Sequence, residues 1–221
     1  MKEIEVINFA EQPSLISRYM LELRDVSIQK DSMRFRRNLE RIGNLMAFEI
    51  SKRLDYNDVD VQTPLGIAKC QTFADTIVLG TIMRAGLPLH QGFLDVFDQA
   101  ENAFISAFRK YKEKGNSFDV VVEYLASPLI DDKVLMLVDP MLATGLSMEL
   151  AYKVMQSKGE PKHIHVASVI ASRQAVEYVK THFPAEKTTI WIGAIDEDLN
   201  PHSYIVPGLG DAGDLAFGVK E

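Results

Sequence analysis

The sequence predicts an α/β fold, a mainly parallel twisted sheet flanked by helices. Lys133–Ser147 opens with an unbroken apolar run, Val134 to Val138, which reads as a strand covered on both faces. Asp75–Met83 is a second run of this kind. Each run ends in a loop of small residues and passes into a helical pattern, the unit from which open parallel sheets are built. The 221 residues, 47% apolar and 25% charged, suit one large domain, 1–221, with appendages.

In chain order, Met1–Phe9 alternates weakly and predicts a short strand. Pro13-Ser14 opens a helix carrying Leu15, Ile16, Tyr19, Met20 and Leu23. Asp31 or Ser32 caps the next helix, whose Phe35, Leu39, Ile42, Met46, Ile50 and Leu54 make one apolar seam. Arg34, Arg36, Arg37 and Arg41 lie beside the seam. A solvated or subunit-facing helix side explains them better than a phosphate patch does. Polar Asp55–Asp60 leads to an extended piece, Val59–Pro64, and a turn at Gly66. After the Asp75–Met83 strand come Arg84-Ala85-Gly86-Leu87-Pro88 and a helix, Leu89–Phe97. An arginine at such a junction requires an anion or carboxylate partner.

Ala103–Phe108 and Phe118–Leu125 predict a hairpin around Gly115-Asn116. A helix over 146–158 ends at Gly159, a C-terminal cap. His163–Ile170 is the next strand, and its His163 and His165 have no third metal ligand nearby in sequence. Ser172 caps a helix through Val179, and Thr188–Ile195 is the last clear strand, with Trp191 a packing residue. Tyr204–Phe217 switches repeatedly between apolar residues and glycine, a pattern that excludes a regular helix or strand and points to a loop whose backbone approaches a ligand.

The net charge of −7 argues against non-specific nucleic-acid binding. The single cysteine, Cys70, excludes an internal disulfide and a cysteine metal cluster and fits a reducing compartment. Neither a signal peptide nor an apolar stretch of membrane-spanning length is legible, so a cytoplasmic protein without membrane contact is the expectation.

Asp139–Ser147 places an acid at the carboxyl end of a parallel strand and free N–H groups at a helix start, a combination that favours phosphate. It lacks the Gly-Lys-Ser/Thr of a nucleotide-binding P-loop and the G-x-G-x-x-G of a dinucleotide site. Asp-Pro-Met-Leu-Ala-Thr-Gly resembles the phosphoribosyl pyrophosphate loop of type I phosphoribosyltransferases, in the variant of the uracil phosphoribosyltransferases. Ile-Met-Arg-Ala-Gly-Leu resembles that family's Ile-Leu-Arg-Ala-Gly-Leu. Tyr-Ile-Val-Pro-Gly-Leu-Gly-Asp-Ala-Gly-Asp, Tyr204–Asp214, is close to its uracil loop. The likeness runs from Phe35 onward in the same order.

The resemblance implies the type I phosphoribosyltransferase fold, with a β-hairpin arm at about 109–126 and a C-terminal base-binding hood at about 196–221. It implies the reaction of uracil with 5-phosphoribosyl 1-pyrophosphate to give UMP and pyrophosphate, a step of pyrimidine salvage. By the same resemblance Asp139, Pro140, Met141, Leu142, Ala143, Thr144, Gly145, Leu146 and Ser147 hold the donor, with Asp139 on the ribose hydroxyls. Arg84 and Arg109 stabilise pyrophosphate. Ile205, Gly210 and Ala212 contact uracil through backbone, and Asp211 touches both base and donor. Magnesium is implied as the cofactor, held mainly by substrate rather than by protein ligands. A homodimer or higher homo-oligomer is implied, and GTP is an effector in some members.

Four departures stand out, the first being Pro88-Leu89 in place of the usual Gly-Met. Lys110–Lys114 is basic where the family's arm is acidic. Leu215 replaces a commonly basic residue. Leu146 replaces a second glycine, a change that backbone donors survive, so donor binding is expected to be unchanged or weakened. Two other readings remain at this level: a phosphoribosyltransferase for another base, and a regulatory protein that senses phosphoribosyl pyrophosphate or UMP and binds RNA.

Overall fold

The computed structural model describes residues 3–111 and 118–220, with side chains outside 107–122. The chain forms β1 (Glu5–Asn8), α1 (Leu15–Arg24), α2 (Ser32–Ser51), β2 (Tyr56–Thr63), β3 (Gly66–Phe73), β4 (Ile77–Met83), α3 (Leu87–Val96), β5 (Glu101–Tyr111) and β6 (Phe118–Ala126). It continues through β7 (Val134–Val138), β8 (Met141–Leu142), α4 (Leu146–Met155), β9 (His163–Ser172), α5 (Arg173–His182), β10 (Thr188–Asp196), β11 (Asp198–Leu199), β12 (Ile205–Val206) and α6 (Ala212–Phe217).

The central sheet runs β1-β10-β9-β7-β4-β5-β6, and β8 pairs β9 from the side. Every pairing in it is parallel except that of β5 with β6. The buried runs therefore sit where an unbroken apolar pattern predicts, in the sheet's centre: all five residues of β7 are buried, as are six of seven in β4. One face of the sheet is covered by α1, α2, α3 and α6 around Phe35, Leu39, Ile42, Leu89 and Phe93. The other is covered by α4 and α5 around Met148, Tyr152, Met155 and Val179. The α2 seam is fully buried from Phe35 to Ile50, each large side chain contributing about 1.5–3 kcal/mol of transfer free energy. Asp31 caps that helix by accepting from the Arg34 N–H at 3.0 Å.

The four arginines of α2 all have partners. Arg34 meets Glu22, Arg37 meets Glu40, Arg41 donates to Asn38, and Arg36 donates to the Ala216 carbonyl at 2.6 Å. The His163 and His165 rings meet at a tilt with centroids 4.5 Å apart, and the Trp191 indole N–H donates to His165 Nδ1 at 3.0 Å. Burial lowers the His165 pKa to about 3, as expected of a neutral packing histidine.

Three local expectations need correction. The stretch beyond Gly66 is strand β3, which closes an exposed hairpin with β2. Its alternation is obscured because both faces of the hairpin lie open to solvent, so no apolar face marks the period. Leu142 belongs to a two-residue strand that rejoins the sheet beside Ile170 and Ala171 rather than to open loop. Tyr204–Phe217 contains regular structure after all: Ile205–Val206 pairs with Asp198–Leu199, and Ala212–Phe217 is a short helix. Asp211 nucleates that helix, its carboxylate accepting from the Asp214 N–H at 3.0 Å.

Candidate active site

The strand order reverses between β4 and β7. From β4 the chain moves outward to β5, and from β7 it moves the other way to β9 and β10. Loops leaving β4 and β7 therefore diverge and open a crevice at the carboxyl ends of the strands, where such sheets take ligands. The register sets Thr81 beside Val138, which brings the loop at Arg84 alongside the loop at Asp139.

Asp139 tips β7. Its N–H donates to the Ala167 carbonyl at 3.2 Å, which ties the loop base to β9. The carboxyl keeps some solvent contact, but burial pushes its pKa up to about 7, opposed only by the Met141 N–H. Among the described residues no cation offsets that burial. Pro140 and Leu142 are buried; Met141, Ala143, Thr144, Leu146 and Ser147 are half-buried along the crevice. Ser172 Oγ donates to the Ala143 carbonyl at 2.6 Å. Thr144 Oγ1 accepts from the Leu146 N–H at 3.4 Å.

Gly145 opens α4 with φ of +85°, a conformation that favours glycine, and a Cβ there would press into the Tyr178 ring at 2.7 Å. Tyr178 thus backs the loop from α5, and its hydroxyl donates to Glu149 at 2.6 Å. Nothing in the sequence pattern singled out Tyr178. Beyond the Leu146 N–H, the first turn of α4 carries the backbone N–H groups that any helix start leaves without an intrahelical partner.

Arg84 follows a cis Met83–Arg84 peptide bond. Its Nη2 donates to Asp214 and to the Gly218 carbonyl at 3.3 and 3.2 Å, while Nε is buried without a partner. Gly86 leaves no room for a Cβ against the Ile82 carbonyl at 2.6 Å, so the arginine loop turns back tightly on its own strand.

The hood closes on these loops. A Cβ at Gly213 would lie 3.2 Å from Asp211 Oδ1, 3.9 Å from Ala85 Cβ and 4.0 Å from Arg84 Nη2, so those groups share one small volume. The Ala212 N–H donates to Met141 Sδ at 3.3 Å, which joins the hood to the loop that follows Asp139. Sulfur is a weak acceptor that a carbonyl oxygen readily displaces. Ile205 is buried in its two-residue ladder, and Gly210 is exposed with φ of +91°. Arg84, Asp139–Ser147 and Ile205–Ala212 are therefore brought together. Arg109 lies in β5, and its side chain falls outside the described residues.

Sequence reasoning missed Arg24 and Asp196. Asp196 ends β10 and pairs with both Nη atoms of Arg24 at 2.7 and 2.8 Å. Burial alone would raise the Asp196 carboxyl, but hydrogen bonds from Arg24 and the Gly208 N–H outweigh it and hold it below the ordinary range. No motif marks a pair separated by most of the chain.

Comparison with known proteins agrees with this geometry. The family model described as "Uracil phosphoribosyltransferase" matches residues 10–219. A uracil phosphoribosyltransferase of Porphyromonas gingivalis is 59% identical over 217 residues, 98% of this chain and 100% of the relative. One of Methanothermobacter thermautotrophicus is 40% identical over 190 residues, 85% of each chain. Among solved structures, the AQ2163 protein of Aquifex aeolicus superposes with a TM-score of 0.85 at 26% identity, covering 97% of this chain and 98% of the other.

Proposed function

The chain belongs to the uracil phosphoribosyltransferase family, and from that membership we propose that it transfers the phosphoribosyl group of 5-phosphoribosyl 1-pyrophosphate to uracil, giving UMP and pyrophosphate. The observation that carries the reading is the join between the two loops, the Ala212 N–H on Met141 Sδ, with Arg84 and Asp211 beside it. A donor seated on one loop and a base seated on the other would meet there.

The bond from the anomeric carbon to pyrophosphate breaks as the bond to N1 of uracil forms, through an oxocarbenium-like state, and the N1 proton passes to an oxygen of the departing pyrophosphate or to water. Catalysis then rests on positioning and on neutralising the leaving group. In this reading the helix start at Thr144–Ser147 holds the 5-phosphate, and Asp139 accepts from the ribose hydroxyls. Arg84 exchanges its Asp214 and Gly218 partners for pyrophosphate, and Arg109 assists it. Backbone at Ile205, Gly210 and Ala212 reads the acceptor–donor–acceptor edge of uracil. A cytosine amine there would leave two buried donors opposed, a mismatch that discriminates strongly.

Among the described residues, no group of three or more histidine, cysteine, aspartate and glutamate side chains stands together as a metal cage. A lone carboxylate, Asp139, amid backbone amides would suit a magnesium ion held mainly by the donor's own oxygens. When bound, magnesium supplies neutralising charge to the pyrophosphate. Among the described residues, no helix is long and apolar enough to cross a membrane. The exposed free thiol of Cys70 supports a reducing, cytoplasmic setting. Self-association is also part of the proposal, supported by the apolar tip of the β2–β3 hairpin.

The test is UMP formation by purified protein with uracil, donor and magnesium, with cytosine, orotate and hypoxanthine in parallel. Product from uracil alone is expected. Product from another base instead would move the specificity, and no product from any base would overturn the reading.

A further inference from the structure

We propose that Arg24, Gln29 and Asp196 are positioning residues for the base-reading loop, forming a buckle that sets base affinity without touching the base or the donor. This inference rests on the uracil-transfer reading above. The loop from Ile205 to Ala212 reads its ligand through backbone, so its selectivity depends on where the backbone is held. Its ends are tied by the Leu199–Ile205 ladder and by the Ala212 N–H on Met141. Its middle is Pro207-Gly208-Leu209, which cannot form a ladder of its own.

Three side chains from outside the loop hold that middle. Asp196 Oδ2 accepts from the Gly208 N–H at 2.8 Å, and Arg24 Nη1 donates to the Gly208 carbonyl at 3.0 Å. The two side chains are themselves joined by a forked pair at 2.7 and 2.8 Å, with 25% and 9% of their side-chain surface exposed. Both backbone groups of one residue are thus engaged by one ion pair. Gln29 Nε2 bridges the Leu23 and Leu209 carbonyls at 2.8 and 3.2 Å, which ties the next residue to the end of α1. Gly208 sits at φ of +60° and is buried, so this turn has no room to settle elsewhere. A planar guanidinium is suited to bind a carboxylate by its fork and a carbonyl by the remaining hydrogen, whereas a lysine ammonium is a single point.

The experiment is steady-state kinetics on the full chain, comparing wild type with Arg24→Gln, Arg24→Lys and Gln29→Ala. KM for uracil should rise about tenfold in Arg24→Gln and about threefold in Gln29→Ala, with KM for the donor moving less than about twofold. Arg24→Lys should fall between wild type and Arg24→Gln. Equal rises in both KM values, or a loss of kcat with both KM values unmoved, would overturn the buckle and leave a purely structural pair. If Arg24→Gln yields no soluble protein, Gln29→Ala decides the matter by the same split, because it removes only the two uncharged bonds of a half-buried side chain and leaves the ion pair intact. Wild-type protein that turns over no uracil sinks the preceding reading; an active wild type with an unmoved uracil KM in the soluble variants sinks the buckle alone.

Discussion

Asp139 carries a cost that its proposed role explains. A carboxyl whose pKa stands near 7 in the folded chain and near 4 in the unfolded one favours the protonated native state. As pH rises through about 4 the unfolded chain releases this proton first, so stability falls across the window from about 4 to 7 and flattens above it. Asp139→Asn should remove that fall. At pH 8 the variant is expected to be more stable by about 1–2 kcal/mol, less than the full displacement implies because the group keeps solvent contact. At pH 4 the two proteins should unfold together. The same change should lower kcat/KM about a hundredfold, since a neutral amide is a poorer acceptor for the ribose hydroxyls. Thermal unfolding at the two pH values, beside the activity assay, reads both effects. A variant no more stable at pH 8 than at pH 4, relative to wild type, would show that Asp139 is not held at a cost.

At the scale of elements, the crossing of α2 over α3 decides how firmly the arginine loop is seated. The helices approach through glycine: a Cβ on Gly43 would lie 2.6 Å from the Leu89 carbonyl, and one on Gly92 would fall inside the Glu40 carbonyl. Asn44 Nδ2 closes the crossing on the Gly92 carbonyl at 2.6 Å. Helix α3 begins three residues after Arg84, so a shift of α3 moves the Arg84 side of the crevice. Gly92→Ala should therefore cost about 2–3 kcal/mol by overpacking, outweighing the alanine gain in helix propensity. The urea midpoint measures it, and a midpoint at or above wild type would mean that the helices separate freely.

At the scale of the molecule, the β2–β3 hairpin projects from the core and meets it at its base, where Phe73 lies against Phe97 with ring centroids 5.8 Å apart. Leu65 is 99% exposed and Ile67 70%, while Val61 and Phe73 also face solvent. Apolar side chains grouped on a projecting hairpin are what an interface with a second copy would cover. Leu65→Ser combined with Ile67→Ser should lower the mass measured by light scattering toward 24.8 kDa, with chain stability within about 0.5 kcal/mol of wild type. An unchanged mass in the double variant would place self-association elsewhere.

The sequence by itself determined the buried strands, the helices that cover them and the order of the ligand loops. Those features rest on local pattern: unbroken apolar runs at β4 and β7, a 3.6-residue seam on α2, an acid and small residues before α4. It also marked Arg84, Asp139 and the Tyr204–Asp214 run, because glycine and charge at strand ends are local signals. Only the tertiary structure decided that Ala212 meets Met141, that Tyr178 backs Gly145, and that Arg24 reaches Asp196 across nearly the whole chain. Those contacts join residues that share no period and no motif, and they exist because a parallel sheet gathers the ends of distant strands along one edge. The β3 strand and the α6 helix escaped for a related reason. One has no buried face to impose alternation, and the other is too short to show a helical repeat and depends on its Asp211 cap.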